Sequence, residues 1–229
     1  MLIDIAIQNV FSSGNRFINP SSRRGAMKTG IIIAGICCFF VFPALAFCQS
    51  SPGFHGWSGN ANFFLGEKGL DSGDWKPVEE HMEYGLLLDF KHHRVPFGFT
   101  FDILHSEDEE NVGVEVLGFG VYNSKVKSQT TEFNPGIRKI WENFQHARPF
   151  IGGGASVVIA EIDVKALGNS VSDDGAGLGA WMDLGLFWAF NRHFNLGVDA
   201  RYSYVEATVL NMNSRIGGWH LGVLAGYHW

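Results

Sequence analysis

The sequence predicts an all-β fold: eight antiparallel strands in up-and-down order, closed into a transmembrane barrel. Three observations predict it. Segment after segment alternates apolar with small or polar residues. The connections between segments are alternately short and long. Charged residues make up only 17 % of the chain, against about 25 % in an ordinary soluble domain. Glycine (29 residues) and aromatics (14 %) are abundant, as suits a sheet that faces lipid. A net charge of −6 leaves no basic footprint for nucleic acid, so no partner of that class is expected.

Successive side chains of a strand point to opposite faces, so each segment can be sorted into two sides. The first strand, near 56–66, sets Trp57, Ala61, Phe63 and Leu65 against Ser58, Asn60, Asn62 and Phe64. In 82–91, Met82, Tyr84, Leu86, Leu88 and Phe90 oppose Glu83, Gly85, Leu87, Asp89 and Lys91. In 95–104, Val95, Phe97, Phe99, Phe101 and Ile103 oppose Gly98, Thr100 and Asp102. Segment 131–141 opposes Phe133, Ile137 and Trp141 to Glu132, Asn134, Gly136 and Arg138, and the glycine-rich 150–162 has ambiguous parity. In 176–190, Met182, Leu184, Leu186, Trp188 and Phe190 oppose Trp181, Asp183, Gly185, Phe187 and Ala189. In 194–204, Phe194, Leu196, Val198, Ala200, Tyr202 and Tyr204 oppose Asn195, Gly197, Asp199, Arg201 and Ser203. The last strand is the cleanest. Trp219, Leu221, Val223, Ala225, Tyr227 and Trp229 share one parity, with aromatics at both ends. Apolar outside, polar inside and aromatic girdles describe a membrane barrel, and these lengths approach the ~9–11 residues a tilted strand needs.

Short links fall at 92–94, 143–148 and 191–193, and longer polar ones near 67–80, 106–127, 163–174 and 209–217. Short turns at one end and long loops at the other are the expected asymmetry. Val112, Val114, Val116 and Phe119 make the 106–127 stretch ambiguous. It either prolongs a hairpin beyond the membrane or adds two strands to give ten.

Upstream, Lys28, the apolar run Ile31 to Val41 and the Ala44-Leu45-Ala46 site read as a secretory signal peptide cleaved after Ala46. The chain divides into an upstream extension (1–26), the signal peptide (27–46), an N-terminal lead (47–55) and the barrel (56–229). Competing readings of the leader are an anchoring helix over 30–47, a twin-arginine signal at Arg23-Arg24, and lipidation at Cys48. Cys37 and Cys38 lie in the apolar run, so cleavage leaves Cys48 with no partner for an internal disulfide.

The hairpin Tyr84-Gly-Leu-Leu-Leu-Asp-Phe90 with Phe97-Gly-Phe-Thr-Phe-Asp102, the stretch Arg148-Pro-Phe-Ile-Gly-Gly-Gly154 and the ending Gly-Tyr-His-Trp229 resemble the OmpA-like and OmpX-like small outer-membrane barrels. The likeness covers nearly all of 57–229. It implies the outer membrane of a Gram-negative (diderm) bacterium and contact with outer-membrane lipids and lipopolysaccharide; no cofactor is expected, and the sequence does not fix the oligomeric state, a monomer being the expectation. It also implies that Leu221, Val223, Ala225, Tyr227 and Trp229 form the signal read by the barrel assembly machinery. Those barrels usually end in Phe; here Trp229 takes that place. No peptidoglycan-binding domain is expected after Trp229.

Eight strands leave an interior just wide enough for side chains. The inward set contains Glu83, Asp89, Lys91, Asp102, Glu132, Arg138, Asp183, Asp199 and Arg201. Buried charges must be paired, so Arg138 and Arg201 are expected as hubs against Asp102, Glu132, Asp183 and Asp199, with Phe64, Trp181 and Phe187 filling space. The expected role is non-enzymatic, through surface loops. A narrow ion or solute channel is the second reading. A lipid-modifying enzyme using His105, Ser106 and Glu107 is the third, although three adjacent strand residues cannot share one face. His55, His92, His93, His146, His193 and His228 are expected around the short-turn rim, too dispersed for a metal site. The loop acids Asp71, Asp74, Glu107 to Glu110, Asp173 and Asp174 could attract divalent cations.

Overall fold

A computed structural model describes residues 56–229 other than 77, 117–119, 143–145, 167–168, 192 and 210–211. The leader, with Ala44 and Ala46, Cys48 and His55 lie outside the described residues. In chain order come β1 (Trp57–Gly69), α1 (Ser72–Trp75), β2 (Glu80–His92), β3 (Gly98–Val116), β4 (Gly120–Ile140), β5 (Ala147–Ala166), β6 (Asn169–Ala189), β7 (Phe194–Val209), β8 (Met212–Arg215) and β9 (Trp219–His228). Each strand pairs antiparallel with its neighbour from β1 to β7. β9 then pairs with both β7 and β1 and closes the ring. β8 continues the β7 ladder beyond β9. Between them the Ile216 and Gly217 amides both donate to the Val205 carbonyl, a bulge. β8 and β9 therefore form one stave, and the ring has eight.

The staves outrun the expected loops. β3 and β4 pair without interruption from Gly98↔Arg138 to Val116↔Gly120, so the 106–127 stretch prolongs a hairpin and the ten-stranded alternative is excluded. β5 and β6 likewise pair out to Ala166↔Asn169, through the expected 163–174 loop.

Parity decides what the wall meets. Met182 is 64 % exposed while Trp181 beside it is 3 %. Phe63, Phe99, Ile137, Ile151, Leu178, Leu184, Val198, Leu221 and Val223 are also exposed. Trp57, Trp141, Trp188, Phe190 and Phe194 stand near the short turns, and Tyr84, Tyr204 and Trp219 toward the long hairpins. A continuous apolar belt with aromatic rims is a surface for acyl chains, and closure satisfies the backbone groups that lipid cannot. Among the described residues no helix is long and apolar enough to cross a membrane; the crossing is made by strands.

Inside, one apolar cluster of Phe64, Leu87, Leu104, Ile140, Phe150, Phe187 and Leu224 lies within the belt. A second, built on Val126, Val158, Ile162, Val164, Val205, Val209 and Ile216, fills the hairpin extension. Leu70, Trp75 and Val78, from the link carrying α1, close that second cluster.

Candidate functional site in the barrel lumen

Alternation along β4 turns Glu132, Asn134 and Arg138 inward. Arg138 gives Nη1 to Asp89 (2.7 Å), Nη2 to Asp102 (2.7 Å) and to Asp183, and Nε to Asp183 (3.1 Å). Arg201 gives Nη2 to Asp102 and Asp183, and its Nε lies 3.8 Å from Asp199. Both guanidiniums lie against the Trp181 ring, at 5.8 Å and 4.6 Å from its centre, and Arg138 also meets Phe150 at 5.2 Å. The indole donates to the Pro135 carbonyl at 3.2 Å. Gly136 makes room for it, since a Cβ there would stand 2.7 Å from the ring.

A second polar cluster lies toward the long hairpins. The Lys68 ammonium meets Glu132 Oε1 and Thr130 Oγ1, both at 2.7 Å, and the Ile216 carbonyl at 3.1 Å. Asn134 Nδ2 donates to Glu132 at 3.2 Å. His220 Nδ1 is 2.8 Å from Glu83, and its Nε2 is 3.0 Å from Ser203 Oγ. Ser106 Oγ joins Thr130 (2.7 Å) to His81 (3.0 Å).

This arrangement corrects two expectations. Glu132 pairs with Lys68, and the arginines instead hold Asp89 with the other aspartates. The sequence pattern leaves Lys68 in a loop, but β1 runs on and carries it into the interior. His105, Ser106 and Glu107 divide between faces, as strand alternation requires. Ser106 is buried, while Glu107 is exposed and receives Gln129 Nε2 at 3.1 Å. The Ser203–His220–Glu83 line has hydroxyl, imidazole and carboxylate in sequence, but Ser203 and His220 are 1 % and 2 % exposed. No substrate reaches the hydroxyl in this closed state.

Four carboxylates (Asp89, Asp102, Asp183 and Asp199) surround two guanidiniums. Asp89 Oδ2, both Asp199 oxygens, Asn195 Oδ1 and both Asn62 polar atoms lack hydrogen-bond partners. Buried polar atoms of this kind call for ordered water. A small cleft lined by Ser58, Asn60, Asp89, Lys91, Glu142 and His228 opens at the short-turn end. Lys91 bonds Glu142 there at 3.1 Å.

The opposite end is stoppered. Trp75 is fully buried and donates Nε1 to the Arg215 carbonyl at 2.7 Å. Asp71 caps α1 through the Gly73 amide at 2.8 Å and stands 3.7 Å from Arg215. Loop acids are in part engaged: Glu109 with Lys125 at 2.6 Å and Glu107 with Lys127 at 3.1 Å. The rim histidines meet at most in pairs: the His92 and His93 rings lie 4.5 Å apart, and the His228 amide donates to the His193 carbonyl at 2.6 Å. Among the described residues no group of three histidine, cysteine or carboxylate side chains is placed to hold a metal ion.

The C-terminal residues Leu221, Val223 and Ala225 are exposed along β9, and Trp229 exchanges backbone bonds with Gly59. Sequence reasoning does not find Lys68, His81, Ser203 and His220 as members of the lumen network. Ser203 and His220 have inward parity on β7 and β9, and that shared parity is the signal that points to them.

No protein-family model matches the chain, and no curated protein matches it. Solved structures do. A major outer membrane protein from Thermus thermophilus is 9 % identical over 76 % of this chain and 100 % of its own, with a TM-score of 0.52. The outer membrane protein OprG from Pseudomonas aeruginosa is 14 % identical over 76 % and 96 %, with a TM-score of 0.50. The fold is that of the small outer-membrane β-barrels.

Proposed function

We propose that this protein is a non-enzymatic monomeric barrel of the outer membrane of a diderm bacterium, exported by the leader cleaved after Ala46. Its short turns face the periplasm and its long hairpins project from the cell. The observation that carries this reading is the division of side chains. The outside of the wall is apolar, and the inside is filled by two apolar clusters and two ionic ones. A filled lumen favours a structural or interaction role through the β3–β4 and β5–β6 hairpins. The partners are outer-membrane lipids and lipopolysaccharide, with the assembly machinery reading Leu221 to Trp229. A narrow ion path, the second reading, has in its favour the excess of lumen carboxylates and the cleft at Asp89. The Trp75 stopper opposes it.

Membrane fractionation with gel mobility before and after boiling tests the proposal. The expected result is an outer-membrane protein whose unboiled form migrates differently. Recovery in the soluble periplasmic fraction would overturn it.

A further inference from the structure

On the half of the lipid-facing wall nearer the short turns, the described outward positions of the strands carry one charged side chain other than histidine, Lys139. It sits on β4 between exposed Ile137 and Trp141 and pairs across the sheet with exposed Ile151. On its other side, one step beyond the Gly98↔Arg138 pair, stands exposed Phe97, the residue just before β3. Among the described residues Lys139 has no carboxylate partner. The nearest acid in sequence, Glu142, is occupied by Lys91. A lysine on a barrel's lipid face costs about 2–4 kcal/mol at the midplane and little near the interface. Its long stem lets the ammonium reach the headgroups, and Trp141 marks their level. Arg94, exposed in the adjoining β2–β3 turn, adds a second cation. The two ends of the molecule also differ in sign. Among the described residues, Lys91, Arg94, Lys139 and Arg148 near the short turns face Glu142 and the lumen's Asp89, whereas acids dominate the long hairpins.

We propose that Lys139, together with Arg94 of the adjoining turn, holds the phosphate of an anionic phospholipid of the inner leaflet, whose acyl chains lie along Phe97, Ile137 and Ile151. This rests on the membrane reading above. The probe is phosphatidylglycerol. The folded protein is reconstituted in phosphatidylcholine vesicles with and without it, extracted gently, and weighed intact with its retained lipids. Near-surface cations contribute additively, so about five-fold selectivity per cation is expected. Lys139→Leu and Arg94→Gln each lose about that factor, and Lys139→Arg keeps it. Equal retention of both lipids by the wild type, or unchanged selectivity in Lys139→Leu, overturns the proposal. Unboiled gel mobility of the same samples reports barrel formation separately, so a failed membrane reading is distinguishable from a failed lipid site.

Discussion

Removing the Arg138 guanidinium leaves Asp89, Asp102 and Asp183 without their main cation inside the wall. Partner loss in a buried ion group costs on the order of 3–5 kcal/mol. Arg138→Leu is therefore expected to lower urea stability by about that much, read by tryptophan fluorescence in lipid. Asp199 should behave oppositely. Its oxygens make no hydrogen bond, and it adds to a carboxylate excess. Asp199→Asn is expected to be neutral or stabilising in the same assay, and a loss as large as that of Arg138→Leu would contradict the charge balance. Outside the membrane, burial and then the carboxylates of Asp163 and Asp174 hold Glu161 above the ordinary glutamate value. A raised folded value means the contribution is full below the unfolded value and lost as pH rises through the folded one. The protection of the β5–β6 hairpin amides, corrected for the intrinsic base-catalysed exchange rate, should therefore rise on acidification through the range just above ordinary carboxylates. Glu161→Gln should abolish that pH dependence.

At the scale of elements, the hairpin extensions show why the strands are legible in the sequence and their lengths are not. Within the belt, apolar side chains point out and polar ones in, and parity alone sorts Asp102, Asp183, Asp199 and Arg201 to the lumen. Beyond the belt the rule inverts. Val126, Val158, Ile162 and Val164 turn inward to a dry core, while Lys127, Glu161 and Asp163 meet water. A pattern sought for lipid outside ends at that boundary, so 106–127 and 163–174 read as loops, and Lys68 falls beyond the legible end of β1. Water, not lipid, sets the polarity there, as in a soluble sheet. The α1 link closes this core with one large ring. Trp75→Ala is expected to cost about 3–5 kcal/mol and to speed amide exchange across 70–79. Exchange unchanged from the wild type would mean that the link is held by Asp71 and Val78 alone.

For the whole molecule, two seals stand in series along the axis: the apolar stopper around Trp75, and the ionic layer of Arg138 and Arg201 pressed on Trp181. A wall of eight staves encloses so little space that either seal alone blocks ions. A continuous water path would have to pass Trp181, whose ring is held by its bond to Pro135 and by two guanidiniums. Planar-bilayer recordings are therefore expected to show no unitary current from the wild type, and none from Trp75→Ala, although that variant has lost its stopper. A current in Trp75→Ala alone would mean that the ionic layer is permeable and would return the narrow-channel reading to first place. Silence in both assigns the protein's exchange with its surroundings to the hairpins and the lipid-facing wall, where Lys139 and the acidic hairpins give the two ends opposite charge.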